Sequence, residues 1–299
     1  MSVRIGINPL TWTNDDMPWL GAEVSLETCL EQARDAGYAG IELGNKFPRS
    51  AEKLGPILSD HHLNLVSGWH NMRLLTRSAA EEIESIKAHI DLLGTLQARV
   101  VVIAEVTGAI HGRQGVAASR RPRISSDQWS EFGEKLTTLA AYCKGQGVHV
   151  AYHHHMGTVV ETEADIDELM AKTGSEVGLL LDTGHITYAG GDPVELVGKY
   201  ANRLQHVHCK DVRLDVLAES RNRDSSFLDS VLRGVFTVPG DGDIAFHTFL
   251  SVLENNRYTG WLVVEAEQDP TVAPSMHYAR KGYTNLCRYC DGAGLALAA

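Results

Sequence analysis

The sequence predicts a closed (β/α)8 barrel over residues 1–299, and three observations favour that fold. Short apolar runs alternate with longer segments whose apolar residues recur at helical spacing, which is the pattern of a parallel sheet with right-handed crossovers. Eight such runs in a chain of 299 residues match the usual size of one barrel. The first strand-to-helix turn, residues 8–12, lacks the glycine-rich fingerprint of open dinucleotide-binding sheets.

Each predicted strand is a short apolar run that ends at a polar residue or a turn. Runs of this kind are typical of strands that are buried on both faces of a parallel sheet. In chain order the predicted strands are Val3–Asn8, Ala39–Leu43, Leu63–Trp69, Arg99–Glu105, His149–His155, Val177–Asp182, Gln205–His208 and Trp261–Glu265.

One predicted helix follows each strand. Capping-box patterns that begin at Ser78, Ser125 and Thr162 mark three helix starts, because a hydroxyl and an acidic or amide side chain can satisfy free backbone amides there. Glycines such as Gly37 and Gly145 lie where helices should end. The predicted helices are Leu26–Ala36, Ala51–Asp60, Ala79–Leu96, Gln128–Gln146, Glu163–Lys172, Pro193–Tyr200, Phe246–Asn256 and Ala273–Cys290.

Residues 212–242 interrupt this alternation. The segment is rich in Arg, Asp and Ser and follows the seventh strand, so it is predicted to be a long irregular loop insertion. Long loops inside compact barrels are usually functional or disordered. Because the segment follows the carboxyl end of a strand, we expect it on the active-site face, as a lid or an oligomer contact.

Composition excludes several classes of protein. The net charge of -11 argues against nucleic-acid binding, and the basic cluster at residues 120–123 is too short to reverse it. No apolar run approaches the roughly 20 residues of a membrane span, and the N-terminus lacks a signal-peptide pattern, so a cytoplasmic protein is expected. The five scattered cysteines form a poor disulfide framework, and the single pair Cys287 and Cys290 does not predict a zinc ribbon.

Nearly every predicted strand ends in a titratable or metal-competent side chain. Active sites of this fold are assembled at the carboxyl ends of the strands. Because side chains alternate along a strand, His153 and His155 should share one face as half of a metal site, with His154 on the other face. The strand-end residues are Asn8, Glu42, His70, Glu105, His153, His155, Asp182, His185, His208, Lys210, Glu265 and Glu267.

Four ordered motifs carry a family resemblance that covers nearly the whole chain. Residues 181–185 (Leu-Asp-Thr-Gly-His), 205–211, 239–244 and 263–265 together resemble the sugar isomerase/epimerase family with xylose-isomerase-like barrels. Within that family, residues 6–12, 152–158 and 265–270 resemble the inosose dehydratases of inositol catabolism. The resemblance implies a divalent metal, usually manganese or cobalt, at the carboxyl end of the barrel.

The resemblance also implies a set of metal ligands. Asp182, His208 and Glu265 match three ligands of the family, whereas His153 stands where relatives generally place a glutamate. Two imidazoles and two carboxylates suit manganese, iron or cobalt better than magnesium or calcium. The departure at His153 leaves water or Glu267 as alternative fourth ligands.

Dehydration beside a ketone requires a base for the α proton, stabilisation of the enolate and an acid for the leaving hydroxyl. We expect His155 or His185 as one proton carrier and a carboxylate or Lys210 as the other. The catalytic candidates are His155, His185, Lys210, Glu42 and Glu105. The expected substrate contacts are the ring faces of Trp12 and Trp69 and the polar groups of Asn8, Lys46, His70 and Glu267.

The leading hypothesis is a metal-dependent dehydratase that acts on 2-keto-myo-inositol, a cyclic polyol ketone. A ketose epimerase or sugar isomerase would use the same metal with a pair of bases across the substrate. An endonuclease-like phosphodiesterase fits less well, because the chain is acidic and offers few extra metal ligands. A non-catalytic sugar-binding protein is the remaining alternative, and a homo-oligomer is compatible with each of these.

Overall fold

Eight parallel strands close into a barrel in the computed structural model, which describes residues 2–298. Neighbouring barrel strands follow the chain order, and the ring closes where β1 pairs with β10, with Ile7 opposite Val264. In chain order the strands are β1 (Ser2–Ile7), β2 (Gly40–Leu43), β3 (Asn64–Met72), β4 (Val100–Glu105), β5 (His149–His153), β6 (Val177–Asp182), β7 (Leu204–Cys209), β8 (Asp211–Val212), β9 (Phe236–Thr237), β10 (Trp261–Val264) and β11 (Ala296–Leu297). The barrel consists of β1 to β7 and β10, which confirms the predicted fold.

Helices surround the barrel. They are α1 (Leu26–Ala36), α2 (Ala51–Asp60), α3 (Ala79–Thr95), α4 (Ser126–Gly145), α5 (Glu163–Lys172), α6 (Thr183–Ala189), α7 (Pro193–Tyr200), α8 (Leu214–Asn222), α9 (Phe227–Leu232), α10 (Phe246–Asn255) and α11 (Ser275–Ala293). All eight predicted helices are present, and the three predicted capping boxes form at Ser78, Ser125 and Thr162. Among residues 2–298 no helix is both long enough and apolar enough to span a lipid bilayer.

Apolar side chains fill the amino end of the barrel interior. Trp261, at the start of β10, packs there with Val66 and Val263. Gly6 and Gly40 make room for the indole, because a Cβ at Gly40 would lie 2.8 Å from the Trp261 ring. Since this end is closed by hydrocarbon, the polar side chains that point into the barrel gather at the opposite, carboxyl end.

The segment 212–242 is ordered rather than irregular, so that part of the prediction was wrong. It contains α8 and α9, and β8 pairs with β9 in an antiparallel hairpin. The helices form because their apolar side chains pack into one cluster with residues of the barrel loops. That cluster includes Met17, Leu20, Met156, Tyr188, Val212, Leu217, Phe227, Leu228, Val231, Val235 and Phe236.

One buried carboxylate anchors both ends of this segment. Asp211 accepts hydrogen bonds from the backbone N–H groups of Val212, Gly240, Gly242 and Ile244, at 2.8–3.1 Å. Four amide donors compensate for the burial of a charged group. The segment is thereby fixed against the carboxyl end of β7, beside the candidate site.

Candidate metal centre and substrate pocket

A cavity of about 230 Å³ opens at the carboxyl end of the barrel. Its position agrees with the rule that sites of this fold form at the carboxyl ends of the strands. Eight of the residues singled out from the sequence line it: Asn8, Glu42, Trp69, His153, His155, His208, Glu265 and Glu267. The other candidates lie outside the lining of this cavity.

The four predicted ligands converge beside the cavity, where three of them line its wall and Asp182 is buried behind it. His153 ends β5, Asp182 ends β6, His208 lies in β7 and Glu265 follows β10. His153 Nε2 lies 3.6 Å from Asp182 Oδ2, and His208 Nδ1 lies 3.5 Å from the same oxygen and 2.8 Å from Glu265 Oε2. The barrel therefore brings two imidazole nitrogens and two carboxylate oxygens together.

Unsatisfied polar atoms show that this arrangement fits a divalent metal. Asp182 Oδ2 and His208 Nδ1 are buried, and within residues 2–298 neither makes a hydrogen bond of acceptable geometry, although His208 Nδ1 lies 2.8 Å from Glu265 Oε2. A buried polar atom without a partner is costly, and a shared cation would remove that cost for both atoms. The nitrogen and oxygen donors suit a first-row transition metal.

Second contacts of the two histidines direct one nitrogen of each ring toward the metal centre. His153 Nδ1 lies 3.0 Å from the carbonyl oxygen of His154, which can only accept, so Nδ1 carries the proton and Nε2 keeps its lone pair. His208 Nε2 lies 3.2 Å from Glu42 Oε1, which leaves Nδ1 as the ligand atom. Such outer contacts commonly orient metal-binding histidines.

The contacts of Glu42 favour a positioning role over the proton transfer expected from the sequence. Its Oε1 accepts from Ser67 at 2.6 Å and from His206 at 2.9 Å, and its Oε2 accepts from Asn8 at 2.7 Å. Burial alone would raise the pKa of Glu42, but His208 and His206 hold that pKa well below its usual range. A carboxylate bound on both oxygens is unsuited to exchange a proton during turnover.

We expect Glu42→Gln to weaken metal binding by about 10- to 100-fold, because the neutral amide no longer fixes the ring of His208 as strongly. Metal affinity is measured by titrating the metal-free variant with manganese or cobalt. Glu82→Gln is the matched control, since Glu82 Oε1 also pairs with a histidine, His70, away from the ligands. Equal metal affinity for Glu42→Gln and the wild-type protein would contradict the positioning role.

The two carboxylate oxygens of Asp182 make different contacts. Oδ1 accepts from the backbone N–H of His185 at 2.8 Å and so caps α6, while Oδ2 faces the other ligands. The backbone N–H of Asp182 also donates to His154 Nε2 at 3.2 Å, which gives that buried histidine a structural role. The helix α6 was not predicted, although an aspartate before Thr-Gly-His is a capping signal.

Lys210 and His185 lie behind the ligands rather than in the cavity, contrary to expectation. Lys210 Nζ is buried, 2.6 Å from Glu265 Oε1, 3.2 Å from Glu267 Oε2 and 3.1 Å from His185 Nε2. Burial alone would lower the pKa of Lys210, but Glu265 and the other carboxylates raise it above its usual range. The lysine is therefore a fixed positive charge among the acidic side chains.

Trp12 and Lys46 do not reach the cavity, which corrects two expected substrate contacts. The Trp12 ring is buried in the hydrophobic core, and its Nε1 donates to Gln32 Oε1 at 2.7 Å. Lys46 Nζ donates to the carbonyl oxygens of Gly21 at 2.9 Å and Ala22 at 3.0 Å. Both side chains instead hold the loop between β1 and α1.

His70 and Glu105 are also engaged elsewhere. His70 Nε2 lies 2.8 Å from Glu82 Oε1, within a buried contact to α3. Glu105 accepts from the backbone N–H groups of Thr107 at 2.8 Å and Leu75 at 3.3 Å. Neither side chain lines the cavity, so the expected catalytic role of Glu105 and the expected substrate contact of His70 are not supported.

His155 faces the cavity, although the predicted strand was too long. β5 ends at His153, and His155 lies in the following turn. Its Nδ1 lies 2.9 Å from the carbonyl oxygen of Met156, so Nδ1 carries the proton and Nε2 is a potential base. Burial holds the pKa of His155 well below its usual value, which keeps the ring neutral. The Trp69 ring lies edge-on to it, with ring centres 5.9 Å apart.

Sequence reasoning missed six polar residues of the cavity wall. They lie beyond the strand ends, in the loops after β1 and β4, or on β3 away from its predicted end. The six are Asn14, Asp15, Asp16, Ser67, Asn71 and His111. The run Asn14-Asp15-Asp16 in the first strand-to-helix loop was a usable signal, because these loops surround the site in this fold.

Comparisons with known proteins agree with the barrel fold. The sequence model of the xylose isomerase-like TIM barrel family matches residues 30–288. The chain is 50% identical to the rhizopine catabolism protein MocC of Rhizobium meliloti, over 99% of this chain and 91% of that protein. It is 41% identical to inosose dehydratase 2 of Bacillus cereus, over 94% of this chain and 95% of that protein.

Solved structures share the fold at low sequence identity. The crystal structure of the IOLI protein with a zinc atom superposes with a TM-score of 0.66 and 17% identity, over 98% of each chain. Identity at that level supports the barrel architecture alone.

Proposed function

This chain belongs to the xylose isomerase-like TIM barrel family, and from that membership we propose that it is a metal-dependent dehydratase that converts 2-keto-myo-inositol to a cyclohexane dione. The observation that carries the choice of reaction is the 41% identity with inosose dehydratase 2 over 94% of this chain. The metal centre alone would suit an epimerase as well, because both reactions pass through a stabilised enolate.

His153, Asp182, His208 and Glu265 are proposed to hold the metal, and manganese or cobalt suits their two nitrogens and two oxygens. When bound, the metal supplies a Lewis acid that polarises the ketone and stabilises the enolate. The buried Lys210 partly balances the charge of Asp182 and Glu265, at 3.8 Å and 2.6 Å.

His155 is proposed to take the α proton of the substrate, because its Nε2 keeps a lone pair while Nδ1 is held by the Met156 carbonyl. The electron pair of the C–H bond forms the new double bond, and the C–O bond to the neighbouring hydroxyl breaks. That hydroxyl leaves as water with the proton that His155 has taken up, so the His155 ring is neutral again at the end of the reaction. Trp69 and Glu267, which also line the cavity, are proposed to contact the ring and its hydroxyls.

We also propose that residues 1–299 act as one barrel domain, with residues 212–242 as its insertion on the active-site face. Phe227 and Phe236 of this segment pack around His185, with ring centres 5.5 Å from the imidazole, and Phe227 lies 5.3 Å from His155. The segment therefore places an apolar ring against the proposed proton carrier. A cytoplasmic location and a homo-oligomer stay predictions.

The proposed reaction is tested with protein loaded with manganese or cobalt and supplied with 2-keto-myo-inositol. We expect ultraviolet absorbance from the conjugated product, its loss after chelation and its return when metal is restored. Because the relative at 50% identity is named for rhizopine catabolism, rhizopine is the second substrate of the assay. An epimerised ketone without dehydration, or turnover of rhizopine alone, would show that the proposed reaction is wrong.

A further inference from the structure

His111 and Asp16 form a polar pair on the cavity wall that the metal centre and the proposed proton transfer do not use. His111 lies in the loop after β4, and Asp16 lies in the loop after β1. Both side chains line the cavity, with 17% and 33% of their surface exposed. His111 Nε2 lies 4.0 Å from Asp16 Oδ1, which is too far for a direct hydrogen bond.

The backbone of His111 is held in place by the turn after β5. The N–H of Ile110 donates to the carbonyl oxygen of Gly157 at 2.9 Å. Gly157 has a φ of +74°, and a Cβ there would lie 2.8 Å from the backbone nitrogen of His111. Only glycine tolerates both that conformation and that close approach without strain.

Asp16 is held equally firmly on the other side. Asn14 Oδ1 accepts from the backbone N–H groups of Asp16 at 2.9 Å and Met17 at 2.8 Å, which fixes the turn. Gly112 allows the carboxylate to approach the His111 loop, because a Cβ at Gly112 would lie 3.2 Å from Asp16 Oδ1. Because both loops are anchored, the distance between His111 Nε2 and Asp16 Oδ1 is fixed by the fold.

The tautomer of His111 makes this residue the hydrogen-bond donor of the pair, and Asp16 is the acceptor. Its Nδ1 is buried and has no hydrogen-bond partner in the described part of the chain, residues 2–298. Because the Asp16 carboxylate lies 4.0 Å from Nε2, its negative charge favours the tautomer with the proton on Nε2. Burial lowers the pKa of His111, which agrees with a neutral ring.

A hydroxyl oxygen fits between these two groups. An oxygen about 2.8 Å from both His111 Nε2 and Asp16 Oδ1 would make an angle of about 90° with them, near the tetrahedral geometry of a hydroxyl. Such a hydroxyl accepts from His111 and donates to Asp16. An apolar group in the same place would leave both unpaired.

We propose that His111 and Asp16 recognise one hydroxyl of the cyclic substrate that lies away from the metal centre. The inference rests on the proposed dehydratase function and makes it more specific. The ring of His155 contacts the rings of both His111 and His153, with ring centres 5.1 Å and 5.3 Å away. The hydroxyl assigned to His111 and Asp16 is one that is neither held at the metal centre nor lost in the elimination.

The test compares 2-keto-myo-inositol with its monodeoxy analogues, each of which lacks one hydroxyl that does not react. A site built to hydrogen-bond a hydroxyl strongly disfavours a ligand without it, so wild-type kcat/KM should fall about 100-fold for one analogue. In His111→Ala and in Asp16→Ala that penalty should nearly vanish, while the relative rates of the other analogues stay unchanged. His277→Ala, an exposed histidine of α11, is the control and should keep the wild-type pattern.

Metal content and thermal unfolding of each variant show whether the protein is folded and loaded. An unchanged pattern of discrimination in both folded variants, or equal wild-type rates for every analogue, would overturn the proposal. Calorimetric measurement of the binding of the same analogues tests the recognition of the hydroxyl independently of the dehydratase reaction. Discrimination in binding without any turnover would overturn the dehydratase reaction and support the recognition of the hydroxyl.

Discussion

Asp182→Asn is expected to lose both the bound metal and turnover while the barrel stays folded. The asparagine keeps an oxygen at Oδ1, which accepts from the backbone N–H of His185 and caps α6. It replaces Oδ2, the anionic atom that faces His153 and His208, with an amide group that cannot act as a ligand. Because the metal contributes several kcal/mol to enolate stabilisation, turnover should fall by about 1,000-fold or more.

Metal content by atomic spectroscopy, ultraviolet product formation and thermal unfolding are measured together. Asp192→Asn is the matched control, since Asp192 Oδ1 caps α7 through the N–H of Val194 at 2.7 Å and lies outside the cavity. The control should keep full metal content. A folded Asp182→Asn protein that retains one metal per chain would rule out the proposed centre.

The order of strand ends was predictable because a closed parallel barrel places them on one face. This rule, together with the family resemblance, predicts that His153, Asp182, His208 and Glu265 lie together at that face. Because side chains alternate along a strand, the sequence also predicts the face of the sheet to which each side chain points. Both rules depend only on the backbone geometry of the strands, which the sequence pattern predicts well.

The same rules could not predict which strand-end residues face the substrate. His70 and His153 both lie at strand ends, but Glu82 of α3 binds His70, whereas His153 is held by a neighbouring carbonyl. Such side-chain partners come from distant parts of the chain, and the pattern of a single segment does not reveal them. Glu42 illustrates this, because its role depends on His208, which follows it by 166 residues.

Loop residues were the largest omission. His111 and Asp16 lie several residues beyond the ends of β4 and β1, and their separation depends on Gly157 and Asn14. The helices α8 and α9 were missed because α8 buries only Leu217 and Ser220 and α9 is only six residues long. Neither segment therefore shows an apolar pattern that distinguishes it from an irregular segment.

Lys210→Met is expected to cause the largest loss of stability. Lys210 Nζ lies 2.6 Å from Glu265 Oε1, 3.2 Å from Glu267 Oε2 and 3.8 Å from Asp182 Oδ2, all in the interior. Methionine fills a similar volume but leaves the carboxylates without their positive partner. Loss of one partner of a buried ion pair costs about 3–5 kcal/mol, and the free energy of unfolding should fall by that amount.

Urea unfolding of metal-free and metal-loaded protein measures this effect. The loss should be greater without metal, because a bound divalent cation supplies positive charge to Asp182 and Glu265. Lys199→Met is the matched control, since Lys199 pairs with Asp167 where both side chains are about half exposed. Exposed pairs contribute about 0–1 kcal/mol, so the control should change little. Equal losses for the two variants would mean that Lys210 does not balance the charge of the centre, and the metal would then have to do so alone.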